Sequence, residues 1–197
     1  GPSTADAPGI SQSHLFGLHL IDIHGNLEAL EAVLQRCESE NIDRVICLGD
    51  VVGYGADPNA CTKKVRQFSD IVIAGNHDWA AVGLEDSSFF NQVALEAIQW
   101  TGSQLTSRHV DYLKSCPISN QADGALFVHA SPYQPDAWHY ISTAEDAREG
   151  LSYTDSDVVF VGHTHRAFIV REKNGKSTVN EGRLKIKPSE RYLVNVG

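Results

Sequence analysis

The first half of the chain repeats a unit in which a short apolar run precedes an amphipathic stretch. The apolar runs are predicted strands, at residues 15–22, 43–49 and 71–74. The amphipathic stretches are predicted helices, at residues 26–40 and 57–68. Leu27, Leu30 and Leu34 lie on one stripe of the first helix, and the second opens with Asp57 as N-cap and Pro58 in the first turn.

The second half is predicted to form more helices and then a β-rich end. Helical periodicity covers residues 89–105, 107–115 and 143–151, with Ser107 a candidate N-cap. Strands are expected at 125–130, 157–162, 167–172, 183–187 and 191–196, with a turn at 173–176. Alternating strands and helices predict an α/β domain whose strands are buried between helical layers. We expect a flexible tail over residues 1–13 and a single domain over 14–197.

Polar clusters follow the predicted strands, and each contains side chains that can bind metals. They are DIHGN at 22–26, GDVVG at 49–53, GNHD at 75–78, His129, and HTH at 163–165. Ligands of open α/β sheets gather at the carboxyl ends of strands, so these clusters are expected to share one crevice. In extended backbone, residues i and i+2 project to the same side, so Asp22 with His24, and His163 with His165, are expected to act in pairs.

Together the clusters supply two carboxylates, four imidazoles and one amide oxygen. The candidate metal ligands are Asp22, His24, Asp50, Asn76, His129, His163 and His165. The set is too large for one tetrahedral ion with an open position, but it suits two ions that share a carboxylate. Nitrogen and oxygen ligands without thiolate favour two divalent transition metal ions, Mn, Fe, Zn, Co or Ni, with Mn preferred. Neighbouring glycines at 25, 49, 75 and 162 allow turns and close backbone approach.

The motifs DIHGN, GDVVGYG, GNHD and GHTH, with the isolated His129, resemble in their order the calcineurin-like metallophosphoesterase family. The resemblance spans about residues 15–197 and is closest to the bacterial-type phosphodiesterase branch. It implies an α/β fold, the four-layer α-β-β-α metallophosphoesterase sandwich. It also implies one metal held by Asp22, His24, Asp50 and His165, and a second held by Asp50, Asn76, His129 and His163.

The same resemblance implies dinuclear metal-dependent hydrolysis of phosphate esters, above all small phosphodiesters. A metal-bound hydroxide would attack phosphorus and His77 would act as the general acid. A phosphomonoesterase, a protein phosphatase and a non-catalytic scaffold of the same fold are the alternatives. Gly53 and Tyr54 stand where protein phosphatases of this superfamily usually have Asp and Arg. Scaffolds lack the catalytic histidine, whereas His77 and every ligand are present here.

Composition narrows the possible partners. Sixteen basic and twenty-five acidic residues give a net charge of −9, which repels polyanions and makes nucleic acid an unfavourable partner. No apolar run approaches the ~20 residues of a membrane span. The four cysteines show no CxxC spacing, and the first residues lack a signal-peptide pattern, so a cytoplasmic location is expected. The expected partner is a small phosphate ester, and the sequence does not identify the residues that bind it.

Other polar and aromatic residues are expected to serve packing or solvation. His14, His19 and His109 have no motif around them and are expected to be packed or at the surface. Packing is also favoured over a substrate pocket for Tyr54, Tyr133, Trp138 and His139. Arg166 is expected in solvent rather than as a phosphate clamp. Asp78 has two equal alternatives, because it could orient His77 or cap the segment that follows.

Overall fold

Two β-sheets form the middle of the molecule in the computed structural model, which describes residues 17–180 and 182–197. The predicted tail over residues 1–13 and His14 lie outside the described residues. The first sheet is parallel, with neighbouring strands β1 (Gly17–Leu20), β2 (Arg44–Cys47) and β3 (Ile71–Val72). The strands of the second sheet are β4 (Ser119–Ala122), β5 (Ala125–Val128), β6 (Val158–Val161), β7 (Phe168–Lys173), β8 (Lys176–Asn180) and β9 (Arg191–Asn195). Their spatial order is β4-β5-β6-β9-β7-β8.

Helices cover the outer faces of both sheets. They are α1 (Leu27–Glu40), α2 (Pro58–Phe68), α3 (Asn76–Ala81), α4 (Gln92–Gln104), α5 (Ser107–Ser115) and α6 (Ala144–Ser152). Short 3₁₀ helices occupy Ser87–Phe89 and Pro135–Ala137. Apolar residues of the first five helices pack on the first sheet, and those of α6 pack on the second. Among the described residues, no helix has the length and apolar character needed to cross a membrane.

The alternation of side chains along β2 shows how the layers are joined. Val45 and Cys47 face the helices on the first sheet, whereas Ile46 and the following Leu48 pack between the sheets. The core between the sheets also contains Tyr192 of the second sheet. A third apolar cluster lies between the second sheet and α6. Three cores between four layers confirm the predicted α-β-β-α sandwich.

Most predicted helices and strands are present, but three details differ. Ser107 is the first residue of α5, and the N-cap is Thr106, whose side chain makes no capping hydrogen bond. Residues 183–187 are not a strand; β7 forms its hairpin with β8. Strand β9 already pairs with β6 on one side and with β7 on the other, so residues 183–187 cannot pair with an edge of β9. Asp57 does lie at the N-cap of α2, but its side chain makes no capping hydrogen bond either.

Strand β8 and two further elements, α3 and β4, have no counterpart in the sequence prediction. Helix α3 has only six residues, which is too short for a helical repeat of apolar positions to be recognised. Strand β4 reads SNQA and lies at the edge of its sheet, so it lacks the apolar character used to identify strands.

His19, in β1, is packed between aromatic rings, as expected for a histidine outside any motif. Its ring stacks on Phe160 with centroids 4.1 Å apart and lies 5.8 Å from the ring of Phe127. Burial lowers the pKa of His19 to about 4 from its usual 6.5. His109 instead has a structural contact, with Nδ1 2.7 Å from Oδ1 of Asn59.

The half-buried His19 should make stability depend on pH. Between pH 6.5 and about 4 the unfolded chain binds a proton at this residue and the folded protein does not. The free energy of unfolding should therefore fall as the pH falls through this window, by about 2–3 kcal/mol from His19 alone at pH 4.5. His19→Phe should remove this part of the pH dependence in urea unfolding at pH 7.5 and 4.5. The exposed-site control His139→Phe should leave it unchanged; parallel profiles for wild type and His19→Phe would contradict the assignment.

Candidate metal centre

The loops that follow five strands bring the predicted ligands to one end of the two sheets. Asp22 and His24 follow β1, Asp50 follows β2, and Asn76 begins α3 after β3. From the second sheet, His129 follows β5, and His163 and His165 follow β6. The carboxylate and imidazole atoms of the predicted ligands form two groups, Asp22 with His24 and His165, and Asp50 with His129 and His163; within each, ligand atoms lie within 4.8 Å of one another. A third group of the same kind joins His24 and Asp50 with His77. Asn76 lines the same cavity as His163.

The backbone that carries these side chains is not extended, so the predicted i, i+2 geometry is wrong, although Asp22 and His24 do lie in one group as expected. Asp22, His24, His163 and His165 have φ angles of 51°, 49°, 68° and 55°, in the left-handed region. The strands end before these residues, and the chain turns sharply at each of them. His163 and His165 consequently join different groups rather than pointing in one direction. Several non-glycine residues in this unfavourable conformation at one place are typical of a functional site.

In the first group, the side chains of His165 and Asp22 face one another, and several polar atoms of the group have no hydrogen-bond partner. Nε2 of His165 lies 3.4 Å from Oδ2 of Asp22. Nδ1 of His24 lies 3.3 Å from the carbonyl oxygen of Val52, to which it can donate, leaving Nε2 to face the site. Nε2 of His24 and both carboxylate oxygens of Asp22 are buried without a hydrogen-bond partner. These atoms are available to an ion.

The second group is more deeply buried. His129 is fully buried, and its Nδ1 lies 2.8 Å from the carbonyl oxygen of Leu48. In the neutral ring, an N–H at Nδ1 that donates to this carbonyl leaves Nε2 as the lone-pair atom that an ion would bind. That Nε2 atom lies 3.2 Å from Nδ1 of His163 and 3.5 Å from Oδ2 of Asp50. Three ligand atoms therefore converge on one point.

Asp50 connects the two groups. Its Oδ1 accepts a hydrogen bond from the backbone N–H of His77 at 2.9 Å. Its Oδ2 lies 3.8 Å from Nε2 of His24 and 3.5 Å from Nε2 of His129, one residue from each group. Burial alone would raise the pKa of Asp50, but the charge and contact of His129 hold it well below its usual range. Burial alone would lower the pKa of His129, but the Asp50 carboxylate raises it to about 9.

The residues present fit divalent transition ions. Of the ten buried side-chain nitrogen and oxygen atoms without a hydrogen-bond partner in the described residues, five lie here. They are Oδ1 and Oδ2 of Asp22, Nε2 of His24, Oδ1 of Asn76 and Nδ1 of His77. Buried polar groups are normally hydrogen-bonded, and carboxylate, imidazole and amide donors are ligands that such ions accept. Metal binding would explain the unsatisfied atoms of Asp22, His24 and Asn76, whereas His77 is not one of the predicted ligands.

Helix α3 places His77 and Asp78 in different roles. Asp78 accepts hydrogen bonds from the backbone N–H groups of Val52 at 3.1 Å and Gly75 at 3.0 Å, so it fixes the loop and caps the helix rather than orienting His77. His77 has Nδ1 unpartnered, and a side chain at Gly53 would collide with that atom. Burial lowers the pKa of His77 to about 4. Its ring also lies within reach of His24 and Asp50, so the geometry alone permits a ligand role.

A cavity of about 410 Å³ opens beside His77 and His163. Tyr54 and Trp138 line it, contrary to the expectation that they only pack, whereas Tyr133 and His139 stack on one another with ring centroids 5.3 Å apart. Arg166 is exposed in the loop before β7 and does not line the cavity. Sequence reasoning missed Glu85, Phe89, Phe90, Asn91 and Tyr140, which also line it. Adjacent Phe89 and Phe90 are the available signal in the sequence, but the helical pattern predicts a helix that begins there, whereas α4 begins at Gln92.

Comparison with known proteins agrees with this arrangement. Residues 18–195 match the calcineurin-like phosphoesterase superfamily domain. An uncharacterized protein of Methanocaldococcus jannaschii is 35% identical over 180 residues, which are 89% of this chain and 72% of the relative. The crystal structure of a metallophosphoesterase from Sphaerobacter thermophilus is 38% identical, with a TM-score of 0.77, covering 92% of this chain and 75% of that one. A hypothetical protein from Pyrococcus horikoshii shares the fold at 18% identity, with a TM-score of 0.70, covering 91% of this chain and 75% of that one.

The fold and the metal-binding groups define a metallophosphoesterase. The chain belongs to the calcineurin-like phosphoesterase superfamily, a family of dinuclear metal-dependent enzymes, and is a phosphoesterase hydrolase.

The position of Asp50 leads to a prediction about metal content. Wild type should bind two transition ions per chain, measured by elemental analysis after loading and desalting. Asp50→Asn keeps an oxygen for the His77 N–H but removes a negative charge from both groups, so both ions should bind at least about 10-fold more weakly. The exposed control Asp123→Asn should retain both ions. Two tightly bound ions in Asp50→Asn would contradict a shared carboxylate.

Proposed function

We propose that this enzyme hydrolyses small phosphodiesters with two divalent transition ions, preferably Mn, and with His77 as general acid. The first ion would be held by Asp22, His24, Asp50 and His165. The second would be held by Asp50, Asn76, His129 and His163. Asp50 would be the shared ligand, because its Oδ2 lies near imidazoles of both groups.

The observation that supports a diester is the absence of a cationic side chain from the described residues that line the cavity. A phosphomonoester carries about one more negative charge than a diester at neutral pH, because its second pKa is near 6. Enzymes that bind such dianions commonly supply an Arg or Lys clamp. Here Arg166 is not part of the cavity lining, and Tyr54 stands where a protein phosphatase usually has Arg. The site therefore favours a monoanionic ester.

The bound ions would supply positive charge for the phosphoryl oxygens and lower the pKa of water so that hydroxide is available near neutral pH. The chain contributes the rest. The carbonyl groups of Leu48 and Val52 fix the rings of His129 and His24 so that Nε2 faces the site. The His77 N–H holds the carboxylate of Asp50 in place, and the absence of a side chain at Gly75 leaves room for it.

The general-acid role of His77 rests on its position. Its backbone is fixed by Asp50, its ring lines the cavity, and Nδ1 has no hydrogen-bond partner. An imidazole at the cavity wall can donate a proton to a departing alkoxide, whereas a ligand must offer a lone pair. Burial keeps the ring neutral without substrate; a bound phosphate anion favours its protonated form.

A substrate panel tests the proposed function. Bis(4-nitrophenyl) phosphate and 4-nitrophenyl phosphate should each be assayed with Mn, Fe, Zn, Co and Ni. We expect kcat/KM to be at least about 10-fold higher for the diester, which is about 1.4 kcal/mol of transition-state discrimination. Mn should support the highest activity. A preference for the monoester would make the enzyme a phosphomonoesterase, and no hydrolysis with any metal would contradict the proposal.

His77→Asn tests the acid role through the leaving group. The variant should keep both ions by elemental analysis. It should lose about 10²- to 10⁴-fold in kcat with dimethyl phosphate, because methoxide needs a proton, and much less with methyl 4-nitrophenyl phosphate. Equal losses on both esters would remove the acid role. Loss of one ion would show that His77 is a ligand.

A further inference from the structure

Aromatic side chains gather at the cavity beside the metal centre. Phe89 is 88% exposed and Tyr140 is 64% exposed, although both are large apolar residues. Tyr54 is also exposed, and all three line the same cavity. Scattered exposed hydrophobic residues are normal, but a cluster of them in a cavity marks a binding site.

The aromatic rings approach the centre from both sheets. On the side of the first sheet, Tyr54 lies 4.9 Å from the His77 ring and Phe90 lies 5.0 Å from it. On the side of the second sheet, Tyr140 stacks on His163 with centroids 4.2 Å apart. A group esterified to a phosphate at the centre would thus have ring faces and edges on both sides.

Trp138, which also lines the cavity, is held in position by its neighbours. Its indole N–H donates to Oε2 of Glu85 at 2.7 Å, and its ring packs edge-on against His129. Its φ is 54°, and Gln134, on the other side of the short helix Pro135–Ala137, has a φ of 43°. A bulky residue in the left-handed region is a costly conformation that the surrounding contacts maintain. The loop is therefore built to present this ring.

The charge of the residues that line the cavity adds a second constraint, on the charge of the substrate. Glu85 and Asp86 line the cavity, and no described lysine or arginine does. Hydrogen bonds from Ser88 lower the pKa of Asp86, so this carboxylate is ionised at neutral pH. A second anionic group on the substrate would be repelled here. An uncharged planar ring would meet aromatic faces without that penalty.

From this geometry we infer the substrate class: phosphodiesters in which one organic group carries an uncharged planar aromatic ring that binds between these side chains. The inference rests on the proposed function and extends it to the substrate. Aryl groups and nucleobases share the required chemistry. Tyr54, Phe89, Phe90, Trp138 and Tyr140 form the aromatic subsite.

A matched pair of substrates tests the ring. Methyl benzyl phosphate and methyl cyclohexylmethyl phosphate have similar size and leaving groups, and differ in that one ring is planar and aromatic. The rate at which each ester is hydrolysed, at either of its two ester bonds, is monitored by phosphorus NMR. We expect kcat/KM to be about 3- to 10-fold higher for the benzyl ester, which is the range expected for aromatic contacts beyond area burial. Equal values for the two esters would overturn the inference while leaving the phosphoesterase proposal intact.

Variants locate the effect in the subsite. Phe89→Leu and Tyr140→Leu replace exposed rings, so they should fold normally and bring the benzyl preference close to one. The control Phe68→Leu removes a similarly exposed ring at the end of α2, outside the cavity, and should keep the preference. An unchanged preference in both subsite variants would contradict the assignment of these residues.

Two further measurements separate charge and catalysis. Methyl 4-carboxybenzyl phosphate should be hydrolysed at least about 10-fold less efficiently than its 4-carbamoyl analogue, because its carboxylate faces Glu85 and Asp86; equal rates would contradict the charge argument. Calorimetry with benzyl(methyl)phosphinate and cyclohexylmethyl(methyl)phosphinate, which have two P–C bonds and no ester bond to hydrolyse, should show tighter binding of the benzyl compound. Such binding without any ester hydrolysis would refute the proposed function and support the subsite; equal binding would refute the subsite.

Discussion

The negative charge of Asp50 is the feature on which the geometry of the centre depends. The residue is 1% exposed, and burying an ionised carboxylate is costly unless polar partners compensate it. The His77 N–H and the imidazoles of His24 and His129 provide that compensation. A Cβ at Gly75 would lie 2.1 Å from Oδ1 of Asp50, so the charge can sit there only because this position is glycine. The same carboxylate fixes the start of α3, and thereby the position of the His77 ring.

Pairing and packing of the two sheets stabilise the unfavourable backbone conformations at the site. Five predicted ligands have left-handed φ angles, and each such residue is unfavourable by roughly 1 kcal/mol or more. Regular pairing in both sheets and three buried cores hold the strand ends in fixed positions, so the turns cannot relax into more favourable conformations. The two sheets also differ in what they present. The loops of the first supply both carboxylates, and those of the second supply only imidazoles, so the centre forms only when the sheets pack together.

The sequence predicts the elements with a clear hydrophobic period and the ligand types at strand ends. Leu30 and Leu34 mark the buried face of α1, and the glycines beside Asp50 and His77 indicate close backbone approach. What it does not predict depends on tertiary contacts. Residues 183–187 have the composition of a strand but no free edge of β9 to pair with. The turn geometry at Asp22 and His163 depends on where their strands end, and the aromatic wall assembles from loops far apart in sequence.

The distribution of charge explains how a strongly acidic protein can act on an anionic ester. Its net charge of −9 opposes anions over most of the surface, so attraction must be local. Imidazoles and bound cations would supply it at the centre, while the cavity wall adds carboxylates rather than lysine or arginine. Under this arrangement each additional negative charge on a ligand is attracted by the centre only if it reaches the ions, and is repelled anywhere else. Under the proposed function, selection for one anionic group attached to an uncharged body would therefore follow from where the charges lie, and the aromatic rings would decide which uncharged body binds best.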